Sequence, residues 1–129
     1  MNPILIKNYV ATAAVNPYRF VKPGANDYEV IQAAAATDLI IGATMELGVS
    51  ADDITKGKNR LDVMHIGIAE IELGGNVTRG QKLTSDASGK GVAAAPGAGT
   101  NNSIGGTALV SGVAGDTIPV LLTIGSLQG

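Results

Sequence analysis

The chain has 129 residues, nine basic and eleven acidic side chains for a formal net charge of -2, no cysteine, and only three tyrosines and one phenylalanine as aromatics. That length is one domain's worth, enough to bury roughly two thirds of the unfolded surface without cross-links. The lack of cysteine excludes a disulfide framework and thiolate metal sites, and the small dispersed charge offers no long-range field for nucleic acid or an anionic membrane.

Residues 1–17 hold Pro3 and Pro17 around small and β-branched residues, with Lys7 the only charged side chain. Such a segment suits an extended arm that orders against something else, and it is too apolar for a free tail. No basic stretch precedes its apolar residues, and Asn8 and Tyr9 interrupt the run well short of a signal core or a membrane span, so synthesis and use in the cytosol are expected.

Residues 18–129 read as a single β-rich domain. Two strands, Tyr18 to Lys22 and Tyr28 to Gln32, flank the Pro23-Gly24-Ala25-Asn26-Asp27 turn, and a third is expected from Leu39 to Leu47. The Ala33 to Ala36 run favours helix, but Thr37-Asp38 follows too soon for more than about one turn, so it reads as a connection. Ser50-Ala51-Asp52-Asp53 has the form of a capping box and predicts a short helical turn before the Lys56-Gly57-Lys58-Asn59-Arg60 loop.

From Ile66 to Leu73 the residues alternate as in a strand, with Gly67, Ala69, Ile71 and Leu73 on one face and Ile66, Ile68, Glu70 and Glu72 on the other. The second face changes character: Ile66 and Ile68 call for cover, Glu70 and Glu72 for water. Turn signals come next at Gly74-Gly75-Asn76, Gly80 and Asp86-Ala87-Ser88-Gly89, which argues against a long helix. Ala93 to Ser103 reads as a small-residue surface loop. Strands at Ile104 to Ser111 and Thr117 to Ile124 complete the chain, and Pro119, which lacks a backbone donor, places the last one at a sheet edge or a bulge. Short strands with no strong amphipathic helix predict a small all-β barrel or sandwich.

No grouping that carries chemistry emerges. His65 is the only histidine and reads as packed or interfacial. Asp52 and Asp53 are adjacent, so they diverge, and they fit a helix start better than a Ca²⁺ or acid/base pair. Glu70 and Glu72 share a strand face, as a glycosidase pair would, but lack aromatic sugar platforms and read as a solvated rim. Gly89-Lys90-Gly91 and Gly97-Ala98-Gly99 miss the spacing of phosphate and dinucleotide loops, and Lys56, Lys58 and Arg60 form a basic cluster flanked by acids. The expectation is a protein without catalytic residues, metal or cofactor. Tyr9, Tyr18, Phe20 and Tyr28 are all the rings there are, and this is consistent either with a small aliphatic domain or with an interface near the N-terminus.

The run GIAEIELGGNVTRGQKLTSDASGKGVAA, with upstream YRFVKPGANDYEVIQAAAATDLIIGAT and downstream GGTALVSGVAGDTIPVLL, resembles the capsid cement, or head decoration, proteins of tailed bacteriophages over roughly residues 18 to 124. Its most specific part is the order strand, Gly-Gly, Val-Thr-x-Gly, Leu-Thr-Ser-Asp, Gly-Lys. The resemblance implies a β-barrel-like or β-tulip-like domain, usually trimeric, that sits on the outside of the mature head and bridges major capsid protein subunits. It implies no enzymatic activity, no cofactor, and neither nucleic acid nor membrane as partner. On that view Pro3, Ile4, Leu5, Ile6, Tyr9 and Val10 of the arm would contact the capsid, with Tyr9 as anchor, the arm being mobile until it meets the shell. The Ile66/Ile68 face and the strand bearing Pro119 and Leu121 would join copies of the chain. The competing reading is a carbohydrate-binding or adhesion module on a virion or cell surface, with the Ala93 to Ser103 loop as its ligand site; the scarcity of rings counts against it.

Overall fold

A computed structural model describes residues 1–129. It is almost entirely β: β1 (Asn2–Ala11), β2 (Phe20–Pro23), β3 (Glu29–Gln32), β4 (Gly42–Thr44), one helix α1 (Ala51–Thr55), β5 (Arg60–Glu72), β6 (Lys82–Ser85), β7 (Gly91–Ala93), β8 (Asn101–Ala108) and β9 (Thr117–Gln128). The strands form one sheet in the order β1-β3-β2-β4-β5-β9-β8-β6-β7, and β1 also pairs with β5, so five of the strands close into a ring. The all-β, barrel-like architecture expected from the sequence is what the chain adopts.

Strand β5 organises the molecule. From Arg60 to Ile68 it runs antiparallel to β1, it pairs with β4 at Met64 and Val63, and its last five residues pair with β9. The strand therefore serves two cores. Leu61 and Val63 join Ala11, Val15, Val21, Val30 and Val49 in one cluster, while Met64, Ala69 and Ile71 join Phe20, Ile40, Leu73, Leu83 and Val120 in the larger one. Complete burial of side chains such as Ile40, Ile71 and Leu83 stabilises the fold by about 1.5–3 kcal/mol each. Phe20 is the only ring in either cluster's fully buried set, and it lies close enough to Gly105 that any side chain there would collide with it.

The capping box is present: the Ser50 hydroxyl accepts from Asp53 N at 3.0 Å, and the Asp53 carboxylate accepts from Ser50 N at 3.0 Å. Other expectations shift. The third strand contracts from Leu39–Leu47 to β4, and β5 begins six residues before the expected start at Ile66. β6 and β7, which the sequence reading does not assign, lie on either side of the Asp86-Ala87-Ser88-Gly89 turn. The strand with Pro119 is internal: β9 lies between β5 and β8. The proline is tolerated because its carbonyl accepts from Leu109 N at 3.2 Å, which puts its nitrogen on the β8 side one residue past Ala108, where β8 ends.

Residues 2–11, expected to hang from the domain until they meet a partner, are here a strand of the sheet. β1 pairs with β5 from Asn2↔Ile68 to Val10↔Arg60 and with β3 at Val10 and Ala11. Ala11 and Val15 belong to the smaller core, so the packing continues across residue 17 without a break.

Candidate binding surface

The candidate residues named for two separate purposes meet on one surface. Leu5 lies opposite Ile66, Asn2 and Leu121 flank Ile68 from either side, and Pro119 lies opposite Glu70. Directly opposed residues in antiparallel strands point to the same face with Cβ atoms about 4.5–5.5 Å apart. Leu5, Ile66, Ile68 and Leu121 therefore form a continuous apolar strip across β1, β5 and β9. Ile66 is 49% exposed, Leu5 48% and Leu121 41%, while Ile68 and Pro119 are half-buried. The alternation calls for cover over Ile66 and Ile68 within the domain; instead the opposite face, with Gly67, Ala69 and Ile71, faces the core, and the side bearing the two isoleucines is open.

Polar groups border the strip. The α-amino group of Met1 meets Glu70 Oε1 at 3.4 Å. On the β8 side, Thr107 pairs with Leu121, and its hydroxyl lies 3.2 Å from that of Thr123. An apolar centre with a polar rim is the usual anatomy of a protein interface. Beyond Glu70, Glu72 binds Lys90 Nζ at 2.7 Å and Arg19 Nη1 at 3.1 Å, and the buried Arg19 also donates to the Ser88 and Pro17 carbonyls. The hydrogen bond from Lys90, aided by Arg19, holds the Glu72 carboxyl below its usual range. Glu70 and Glu72 thus serve as ion-pair partners at the rim.

Of the β1 residues expected to meet the capsid, Pro3, Ile4, Leu5 and Ile6 are exposed, whereas Tyr9 and Val10 are half-buried. The pairing changes register on both sides of Leu5, which leaves Ile4 as an extra residue in β1, 78% exposed, and sets His65 out of the ladder on β5. At this place Gly67 takes a φ of +133°, and a side chain there would run into the Asn2 carbonyl. His65 turns to meet the Tyr9 hydroxyl with Nε2 at 2.7 Å and the Ile41 carbonyl with Nδ1 at 2.7 Å. Because a carbonyl only accepts, Nδ1 carries hydrogen, and in the neutral ring Nε2 accepts from Tyr9. Both nitrogens of the lone histidine are therefore used to tie β1, β5 and the approach to β4 together. Burial also raises the Tyr9 hydroxyl above its ordinary range.

Two further features lie at the other end of β1. Lys7 Nζ sits 5.1 Å from the Tyr28 ring centre and 5.8 Å from that of Tyr9, within cation–π reach of both. A shallow cleft is lined by Asn8, Met45, Leu47, Arg60 and Asp62, with Asn8 bonded to both Arg60 and Asp62. No group of three or more His, Cys, Asp or Glu side chains is placed to hold a metal ion. Between Asn2 and Tyr9 no strand pairs with the second edge of β1, since β3 reaches only Val10 and Ala11. Sequence reading finds the members of the strip separately and misses their union. The missing signal is the register of β1 on β5, which a strand read as an arm does not supply.

No family model matches this chain, and no curated protein matches it. Among solved structures the chain is similar to the N base of the head fibre gp8.5 of bacteriophage phi29, with a TM-score of 0.69 and 15% identity over 97% of this chain and 98% of that one. At this level of identity the likeness establishes a shared fold over essentially the whole length.

Proposed function

We propose that this chain is a structural protein of a bacteriophage head, and specifically a decoration or cement protein. It binds the outer surface of the mature head and stabilises it by bridging major capsid protein subunits. The observation that carries the reading is the uncovered strip of Leu5, Ile66, Ile68 and Leu121, rimmed by polar groups, beside the unpaired edge of β1. A small domain has little reason to leave such a strip bare unless a second surface covers it. Two things point to a head as that surface: the fold shared with a head fibre base of a phage, and the resemblance of residues 18 to 124 to cement proteins.

No bond chemistry is needed for this role. A ligand that binds the closed shell, and not shell states in which neighbouring subunits have separated, stabilises the closed state by linkage to its occupancy. The apolar strip supplies burial, and the open edge of β1 can add strand-like backbone bonds to the capsid, with Ile4 and Ile6 as side-chain contacts. Repeated weak contacts from a homotrimer would sum by avidity on a symmetric lattice. The protein would be made in the host cytoplasm and end on the outside of the virion, with neither nucleic acid nor membrane as partner.

Thermal release of DNA tests the bridging claim. Mature heads lacking this protein should hold their DNA to a higher temperature once it is added back at saturation. An unchanged release temperature at saturating protein would contradict bridging.

A further inference from the structure

We propose that β1 exchanges between copies of this chain, so that Asn2–Ala11 of one molecule lies on β5 of a second in the register it holds on its own. This inference concerns the protein in solution and does not rest on the head-binding reading.

The first ground is how β1 is held. Its first seven residues are all exposed, and only Ala11 at its end is buried. The strand is attached by backbone pairing to β5 and, at Val10 and Ala11 only, to β3, and by polar fasteners: Met1 with Glu70 and Asn8 with Asp62 and Arg60 at the surface, and the part-buried Tyr9 with His65. An element with few buried apolar contacts opens locally at a small fraction of the global unfolding free energy. Peeling β1 back to Asn8 leaves both cores closed; full exchange also lifts Ala11 and the half-buried Tyr9 from the smaller core, and the same residues of the second copy refill it.

The second ground is a hinge with fixed ends. Ala11 N donates to the Asn59 carbonyl at 2.7 Å, and Val15 exchanges two hydrogen bonds of 2.8 Å with Val49. Between these points lie only Thr12, Ala13 and Ala14, all exposed. Straightening three small residues redirects the whole strand without disturbing the chain beyond Val15.

The third ground is identity of the ligand. The edge of β5 from Arg60 to Ile68 already accepts one ten-residue sequence, and every copy carries that sequence. Closed and exchanged forms share the same contacts, so their balance is set by hinge conformation and by protein concentration against the effective concentration of the tethered strand. Crowding of copies on any surface favours exchange.

The chain lacks cysteine, so engineered thiols report the exchange directly. Asn8 and Asp62 are register partners, which puts their Cα atoms about 4.5–5.5 Å apart, within disulfide range. Asn8→Cys and Asp62→Cys are made as separate full-length proteins, mixed at high concentration, warmed briefly and oxidised. Exchange gives an interchain disulfide between positions 8 and 62, several-fold above a control mixture of Asn8→Cys with Gln128→Cys, and its yield rises with protein concentration. A yield no higher than the control overturns the proposal. Deleting Ala13 and Ala14 gives a second reading: the shortened hinge prevents β1 from reaching its own β5, so the variant should be an oligomer by solution mass. A folded monomeric variant would overturn the proposal as well.

Discussion

The Tyr9 hydroxyl and His65 Nε2 meet at 2.7 Å and fasten β1 to β5 just beyond the place where their pairing changes register. The bond is part-buried and completes the hydrogen bonding of the ring, whose other nitrogen is held by the Ile41 carbonyl. Tyr9→Phe leaves His65 Nε2 without its partner while keeping the edge-on ring contact at 5.5 Å. We expect a loss of about 1 kcal/mol, seen as a melting temperature lower by roughly 3–5 °C. Faster amide exchange should appear in residues 2–9 ahead of the rest of the chain. Unchanged exchange there would show that the bond does not hold β1.

Gly67 is the tightest point of the same contact. With φ at +133° and the Asn2 carbonyl where a Cβ would stand, Gly67→Ala strains the backbone and pushes β1 away. A destabilisation of about 1–3 kcal/mol by denaturant unfolding is expected, together with loss of protection in Asn2 to Ile6. A neutral substitution would mean that the bulge is relaxed in solution.

Acid should weaken the protein through three carboxyls, Glu72, Asp38 and Asp53, the last lowered by its hydrogen bonds with Ser50 in the capping box. Lys90 and then Arg19 lower the ionisation range of Glu72; at Asp38, burial acts upward but is outweighed by the Lys22 ammonium and the Ala34 N–H, so its range is lowered too. A carboxyl with a folded value below its unfolded one contributes stability above the unfolded value of about 4, and loses it as pH falls through the folded value. Melting temperature should therefore hold steady from about neutrality to about pH 5 and fall below about pH 4. Glu72→Gln should lower it at neutral pH and flatten the acid decline. An acid decline as steep as that of the unsubstituted protein would contradict this origin.

Ser50→Ala removes one half of the capping box on a helix of only five residues. The expected cost is about 1 kcal/mol in chemical denaturation, with the sheet intact by circular dichroism. No measurable cost would mean that α1 adds nothing to global stability.

Much of this fold is legible in the sequence because its signals are local. The Ser50 box, the Pro23 to Asp27 turn and the alternation from Ile66 to Leu73 each depend on neighbours in sequence, and each is present. The misreadings are non-local. β1 looks like an arm because its first seven residues stay exposed; only register on β5, some sixty residues away, makes it a strand. Pro119 reads as an edge marker, yet its position is decided by where β8 stops. The strip draws on three strands far apart in the chain, so composition alone could name Leu5, Ile66 and Leu121 but not bring them together.

If the strip of Leu5, Ile66, Ile68 and Leu121 is the surface that meets the head, polar side chains in it abolish binding. Ile66→Ser with Leu121→Ser changes two exposed side chains, so each should alter stability by no more than about 0.5 kcal/mol. The measurement is co-sedimentation of the unsubstituted and doubly substituted proteins with mature, undecorated heads of the phage whose genome encodes the chain. Saturable binding by the first and its loss in the second are expected, both proteins being equally folded. Absence of binding by the unsubstituted protein at high concentration would contradict head decoration; equal binding by both would contradict the strip as the surface that performs it.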